Sequence, residues 1–231
     1  MSGLNLFSLI DLFLPRLCPG CGQSLSRGEE ELCVNCLATL PETGFCEKPE
    51  NPVNRKFIGR FKFEYAAACY YFHKSSTVQH IIHHFKYKNR RKTALFMGRQ
   101  MGAILKDTSI EEAIDGIVPV PLHSRKERKR GYNQSKLLGD GISEVLEIPV
   151  YSKLLKRISY TQTQTKLNAV QRWQNVKDVF KVSNKSKCAD MHLLLVDDVV
   201  TSGATLEACA RELSKLENVK VSMIALAAAS H

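Results

Sequence analysis

Leu193-Leu-Leu-Val-Asp197-Asp198-Val-Val-Thr201-Ser202-Gly203-Ala204-Thr205 is the stretch whose reading decides the fold. An apolar run reads as a buried strand, two carboxylates stand at its carboxyl end, and a small hydroxyl-rich loop opens a helix. Val199 and Val200 lead into that loop, where Thr201, Ser202, Gly203, Ala204 and Thr205 offer successive backbone N–H groups at the positive end of the helix. Such a loop suits a phosphate dianion. Asp197 and Asp198 are placed to accept hydrogen bonds from sugar hydroxyls or to hold waters of a magnesium ion. Phosphate beside a diol reads as ribose 5-phosphate. Asp, Ser, Thr and Gly also end strands and cap helices for structural reasons alone, but the whole string in this order is more than a cap requires.

Outward from this stretch the chain alternates element types. Residues 114–121 read as a buried strand, 134–147 as a helix, 206–216 as a helix and 219–228 as a closing strand. Phe61, Phe63 and Tyr65 alternate with polar residues, as a half-buried strand does. Val78, Ile81, Ile82 and Phe85 fall at helical spacing, and Ala94, Leu95, Met101, Ile104 and Leu105 mark a second helix beyond the basic run 86–92. The pattern predicts an α/β domain over 57–231, with a mainly parallel sheet covered on both faces and ligands at the carboxyl ends of its strands.

Residues 1–50 read as a separate N-terminal unit. Leu6, Leu9, Ile10 and Phe13 line one face of a short helix, read as a packing face. The stretch lacks the basic lead and cleavage site of a signal peptide, and no apolar run has the length of a membrane span. Cys18-Pro-Gly-Cys21 and Cys33-Val-Asn-Cys36 pair two C-x2-C motifs, so Cys18, Cys21, Cys33 and Cys36 are predicted to hold a structural zinc with no open coordination position. Cys46 reads as a spare, and Cys69, Cys188 and Cys209 as small buried hydrophobes. A linker rich in Pro, Asn and Lys runs over 47–56.

The formal charge is +10, from 33 basic against 23 acidic residues, which favours an anionic partner, whether phosphorylated metabolite or nucleic acid. Pro121, Leu122 and His123 end the 114–121 strand in a loop at the same sheet edge as the acidic pair. Together with Arg125 and Arg130 they are the candidates for pyrophosphate oxygens. His73, His80, His83 and His84 read as a solvated face rather than a metal site.

The aliphatic strand, acidic pair and Thr-Ser-Gly-x-Thr loop resemble the fingerprint of the type I phosphoribosyltransferases. Three more blocks agree with the ComF family of competence-associated proteins. These are the four-cysteine module, Val118-Pro-Val-Pro-Leu-His123 with Arg125 and Arg130-Gly-Tyr-Asn-Gln134, and Thr161-Gln-Thr-Gln-Thr-Lys-Leu with Arg172, Asn175 and Phe180. The resemblance covers nearly the whole chain. It implies a type I phosphoribosyltransferase fold and a phosphoribosyl pyrophosphate or related ligand taken with magnesium. It also implies a loop over 160–174 that closes on the ligand. Thr163, Gln164, Lys166 and Arg172 would touch pyrophosphate or the incoming group, with Gln164 and Arg172 joining Asp197 and Asp198 as candidate catalytic residues. In an enzyme, a nitrogen nucleophile would attack C1 of the ribose as pyrophosphate leaves. A role in DNA uptake is implied as well, so a second reading is a non-catalytic protein that binds single-stranded DNA or the uptake machinery. The cytoplasm is the expected compartment, and the acceptor and oligomeric state stay open.

Overall fold

The computed structural model describes residues 15–106, 108, 110–158, 179–183 and 188–229. The expected N-terminal helix and the 160–174 loop, with Thr163, Gln164, Lys166 and Arg172, lie outside the described residues. The strands are β1 (Tyr65–Phe72), β2 (Gly116–Pro119), β3 (Leu155–Arg157), β4 (Phe180–Val182), β5 (His192–Val200) and β6 (Lys220–Ala229). The helices are α1 (Val34–Ala38), α2 (Pro52–Arg55), α3 (Thr77–Tyr87), α4 (Arg91–Leu105), α5 (Ser124–Arg130), α6 (Gln134–Leu146) and α7 (Ala204–Leu213).

The main sheet has the order β1-β6-β5-β2, and every pair in it is parallel. A parallel bridge from Ile117 to Val150 extends one edge, and an antiparallel bridge from Glu42 to Tyr70 extends the other. β3 and β4 form a separate antiparallel ribbon. This is the mainly parallel α/β architecture that the resemblance to the type I phosphoribosyltransferases implies, with a four-cysteine module attached.

Why the central strands form is plain from burial. Leu193, Leu194, Leu195 and Val196 of β5 are almost wholly enclosed, as a parallel strand covered on both faces must be. Alanine is a weak strand former, yet Ala68 pairs with Ala225 and Tyr70 with Ala227 along β1 and β6, all of them buried.

The structure differs from the sequence reading at the start of this domain. The alternation of Phe61 and Phe63 is not a strand. Their rings cluster with Phe57, at centroid separations of 5.8 and 6.0 Å, and β1 begins only at Tyr65. Residues 47–56 are folded: Asn51 is 1% exposed, caps α2, and donates from Nδ2 to the Ala66 carbonyl at 3.0 Å.

α4 and α6 pack closely because both carry glycine at their crossing. A Cβ on Gly141 would lie 2.7 Å from the Arg99 backbone nitrogen, closer than helices tolerate without moving apart. α6 in turn lies against β2 and β5, so this crossing sets where the helix stands over the sheet. Gly141→Ala should therefore destabilise the protein by about 1–3 kcal/mol, read as a lower midpoint in thermal or denaturant unfolding.

Candidate functional site

β5 delivers Asp197 and Asp198 to its carboxyl end, where both are buried, 9% and 5% exposed. The chain then leaves the sheet through Thr201 and Ser202, both exposed, and Gly203 caps α7 with φ +79°. That left-handed φ favours glycine. A side chain is excluded there a second time, because a Cβ would meet the Phe57 ring at 2.6 Å. Among the described residues, no backbone carbonyl accepts from the N–H groups of Thr201, Ser202 and Gly203, and no side chain caps α7. Donors at the start of a ten-residue helix are thus left without a backbone or capping partner among the described residues, as an anion site requires. Ala204 and Thr205, half-buried, form the first turn of α7. Val200 is buried and Val199 half-buried.

The carboxylates are held by partners from three places in the chain. Asp197 Oδ1 accepts from the Ser135 hydroxyl of α6 at 3.0 Å and from the Asp198 N–H at 2.9 Å. Lys86, near the end of α3, donates its ammonium to Asp198 Oδ1 at 2.7 Å. Asp198 Oδ2 is buried with no hydrogen-bond partner among the described residues. Burial, and then the neighbouring Asp198 charge, push the Asp197 carboxyl up to about 7.

A cationic rim surrounds the pair. Burial first, then Arg157, Arg130 and Lys86, lowers the Lys126 pKa. Burial likewise lowers that of Arg157, while the Asp197 charge pulls it the other way. Arg130 donates to Gln134 Oε1 and lies over the Tyr87 ring at 5.6 Å. His123 turns its Nδ1 to accept from the Arg125 N–H at 3.1 Å, so its ring caps α5. Pro121 and Leu122, half-buried, lead into that cap, and Arg125 is exposed.

Much of the Arg130-Gly-Tyr-Asn-Gln134 block is structural. Tyr132 donates its hydroxyl to the Phe85 carbonyl of α3. Asn133 donates to the Val120 carbonyl at 3.0 Å and caps α6 by accepting from the Ser135 N–H. The block therefore ties α3, the end of β2 and α6 together around the acidic pair. Lys86, Ser135 and Arg157 were not singled out from sequence. Lys86 was hidden in a basic run, and nothing local distinguishes Ser135 from any other helix residue.

The four predicted ligand cysteines come together, with Sγ atoms all within 4.8 Å of one another. Cys21 and Cys33 sulfurs lie 3.7 Å apart. Tetrahedral zinc with bonds of about 2.3 Å requires sulfurs about 3.8 Å apart, so the donor set and its size fit a four-thiolate ion. Although burial raises the Cys18 pKa, N–H donors from Cys33, Cys21 and Gly20 outweigh it and bring the thiol down to about 7. The cluster docks on α3: His80 Nδ1 lies 3.2 Å from the Gly20 carbonyl, and Gly20 packs on Thr77. His80, His83 and His84 face this loop across a cleft of about 380 Å³. The histidines are not part of a metal-ligand group among the described residues. Cys69 and Cys209 are fully buried, as expected, and no described helix is long and apolar enough to cross a membrane.

The model of the phosphoribosyl transferase domain family matches residues 137–231, which include the acidic pair and the loop. "Competence protein F" of Haemophilus influenzae is 33% identical over 153 residues, covering 64% of this chain and 67% of that protein. "DNA utilization protein YhgH" of Escherichia coli is 29% identical over 215 residues, 87% of this chain and 92% of that one. "Competence protein ComFC" of Bacillus subtilis is 34% identical over 95 residues, 41% and 36% of the two chains. Among solved structures, adenine phosphoribosyltransferase from Leishmania tarentolae aligns with TM-score 0.39 and 14% identity over 65% of this chain and 74% of that one, a likeness too loose to carry an inference.

A buried carboxyl that stays protonated in the folded state makes stability depend on pH. Between its ordinary value, 3.8, and about 7, the folded protein holds a proton that the unfolded chain has lost, so stability falls as pH rises through that window. Melting temperatures measured from pH 4 to 8 should show this loss in the wild type and a flatter profile in Asp197→Asn.

Proposed function

The chain belongs to the ComF family, competence-associated proteins that carry a phosphoribosyl transferase domain, and from that premise we propose that it binds the ribose 5-phosphate part of phosphoribosyl pyrophosphate or a close relative. The observation that carries the reading is the row of N–H donors around Gly203, without backbone acceptors among the described residues, beside two buried carboxylates, one with an oxygen that has no partner among those residues. A phosphate dianion would take the donors of Thr201, Ser202, Gly203, Ala204 and Thr205. The sugar hydroxyls would donate to Asp197 and to Asp198 Oδ2. Arg125, Arg130, Lys126 and Arg157 form the cationic side on which a pyrophosphate would rest, next to the loop 121–123.

Magnesium, where phosphoribosyl pyrophosphate is the ligand, would enter on the pyrophosphate oxygens, which are ordinary ligands for it. The acidic pair does not offer it a direct seat. One Asp198 oxygen already holds the Lys86 ammonium, and Asp197 Oδ1 already accepts two hydrogen bonds. In the cysteine cluster, zinc would be held by Cys18, Cys21, Cys33 and Cys36 and would supply folding free energy rather than chemistry. In a transfer reaction the rim cations would stabilise departing pyrophosphate while Asp197 and Asp198 hold the ribose in place. Gln164 and Arg172, outside the described residues, remain candidates for that step.

The relatives are named for competence and for DNA utilization, and we extend the same setting, DNA uptake or use in the cytoplasm, to this chain. The formal charge of +10 favours a second reading in which the fold binds single-stranded DNA without turnover. Pyrophosphate release in a screen of amine and nucleobase acceptors supports transfer; salt-sensitive binding to single-stranded DNA with no turnover supports the other.

Two measurements test the reading. Titration calorimetry with ribose 5-phosphate should give saturable binding by the wild type, and Asp197→Ala combined with Asp198→Ala should weaken it at least about a hundredfold. An intact ribose affinity in that double variant would remove the carboxylates from the site. Metal analysis of purified protein should find one zinc per chain, and Cys36→Ala should lose it and unfold at lower temperature.

A further inference from the structure

Lys86 reaches the acidic pair from α3, 112 residues away from Asp198 in sequence, to place its ammonium 2.7 Å from Asp198 Oδ1. The contact is enclosed, with the lysine side chain 20% and the aspartate side chain 8% exposed. Its aim is held by the Tyr132 hydroxyl, which donates to the Phe85 carbonyl one residue before it. A surface lysine making a chance ion pair would have neither feature. Two adjacent buried carboxylates repel each other and, left alone, call for a cation. Here a cation is already supplied by the chain, on one oxygen of one carboxylate, while the other oxygen is buried with no hydrogen-bond partner among the described residues.

We propose that Lys86 is the resident counter-charge of the acidic pair, taking the place of a divalent cation there, so that the pair receives a vicinal diol without metal. The proposal rests on the ribose 5-phosphate reading above. A magnesium ion bonded to Asp198 Oδ2 would share one carboxylate with an ammonium, two positive centres in a site with little water to screen them. Hydroxyl groups have no such conflict. They donate to Asp198 Oδ2, on a carboxylate whose charge the Lys86 ammonium already balances. Lys86 is in this sense a positioning residue, because its ammonium occupies Oδ1 and so fixes how the Asp198 carboxylate is turned. Magnesium then belongs to the pyrophosphate alone, and a ligand with no pyrophosphate should bind without it.

Ribose 5-phosphate is the probe that separates these roles, since it carries the diol and the phosphate but no pyrophosphate. Calorimetry on the full chain with ribose 5-phosphate, in EDTA and then in excess magnesium, should give affinities within about twofold of each other for the wild type. Lys86→Met should bind about tenfold to a hundredfold more weakly in EDTA, the size of a lost charge-assisted hydrogen bond, and should regain part of that loss in magnesium. Lys86→Arg, which keeps the charge, should stay close to wild type. Wild-type binding that disappears in EDTA overturns the proposal without any variant, as does a Lys86→Met affinity equal to wild type; in both cases ribose 5-phosphate still binds and the reading of the site stands. Failure of the wild type to bind ribose 5-phosphate in either condition removes that reading, and the role of Lys86 with it.

Discussion

Putting two adjacent carboxylates inside a protein is the constraint around which this site is built. Either charge, buried alone, would cost several kcal/mol, and the two side by side repel. The molecule meets the cost by bringing two donors from distant segments, the Ser135 hydroxyl on α6 and the Lys86 ammonium from α3, to join the local Asp198 N–H. Each donor must arrive within hydrogen-bond distance, so α3 and α6 have little freedom in where they dock. The devices that hold those helices follow from this. Asn133 caps α6 and reaches back to the Val120 carbonyl, Tyr132 grips the last turn of α3, and glycines at the α4–α6 crossing let α6 lie close.

The phosphate side of the site depends on a different contact. Gly203 needs its left-handed φ to turn the chain from β5 into α7, and the wholly buried Phe57 ring lies where a side chain would be. Phe57 belongs to the segment between the cysteine module and β1, and is braced by Phe61 and Phe63. The aromatic cluster therefore forms the floor beneath the loop and leaves Thr201 and Ser202 exposed above it. Arg211 of α7 closes the other end of the cluster, its guanidinium 5.6 Å from the Phe61 ring and paired with buried Glu207.

What could be read from the sequence was what periodicity and local motifs encode. β5, α7 and β6 follow from an apolar run, a glycine-led loop and a buried terminal stretch, and the two C-x2-C pairs bring four sulfurs into one cluster. The acidic pair could be found because both of its members are adjacent. Its partners could not, because Lys86 and Ser135 become neighbours of Asp198 and Asp197 only after α3 and α6 dock, and no spacing along the chain marks them. The alternation at Phe61 and Phe63 misled for a related reason: period two also arises when two rings pack on a third, and only the tertiary position of Phe57 separates the cases. The basic run 86–92 conceals two roles in one composition, since Lys86 points inward to a carboxylate while Lys88 and Arg90 are exposed.

α3 joins the two chemical centres. Its first turn carries Thr77, against which Gly20 of the cysteine cluster packs, and His80, whose ring meets the Gly20 carbonyl. Its last turn carries Lys86. An eleven-residue helix buried along Val78, Ile81, Ile82 and Phe85 behaves as a rod, so the position of its beginning and that of its end are not independent. The four clustered cysteines close the loop that receives the start of α3, and so help determine where the ammonium arrives at the acidic pair. That gives a small cysteine module, unable to bury a core of its own, a structural reason to be packed against this domain.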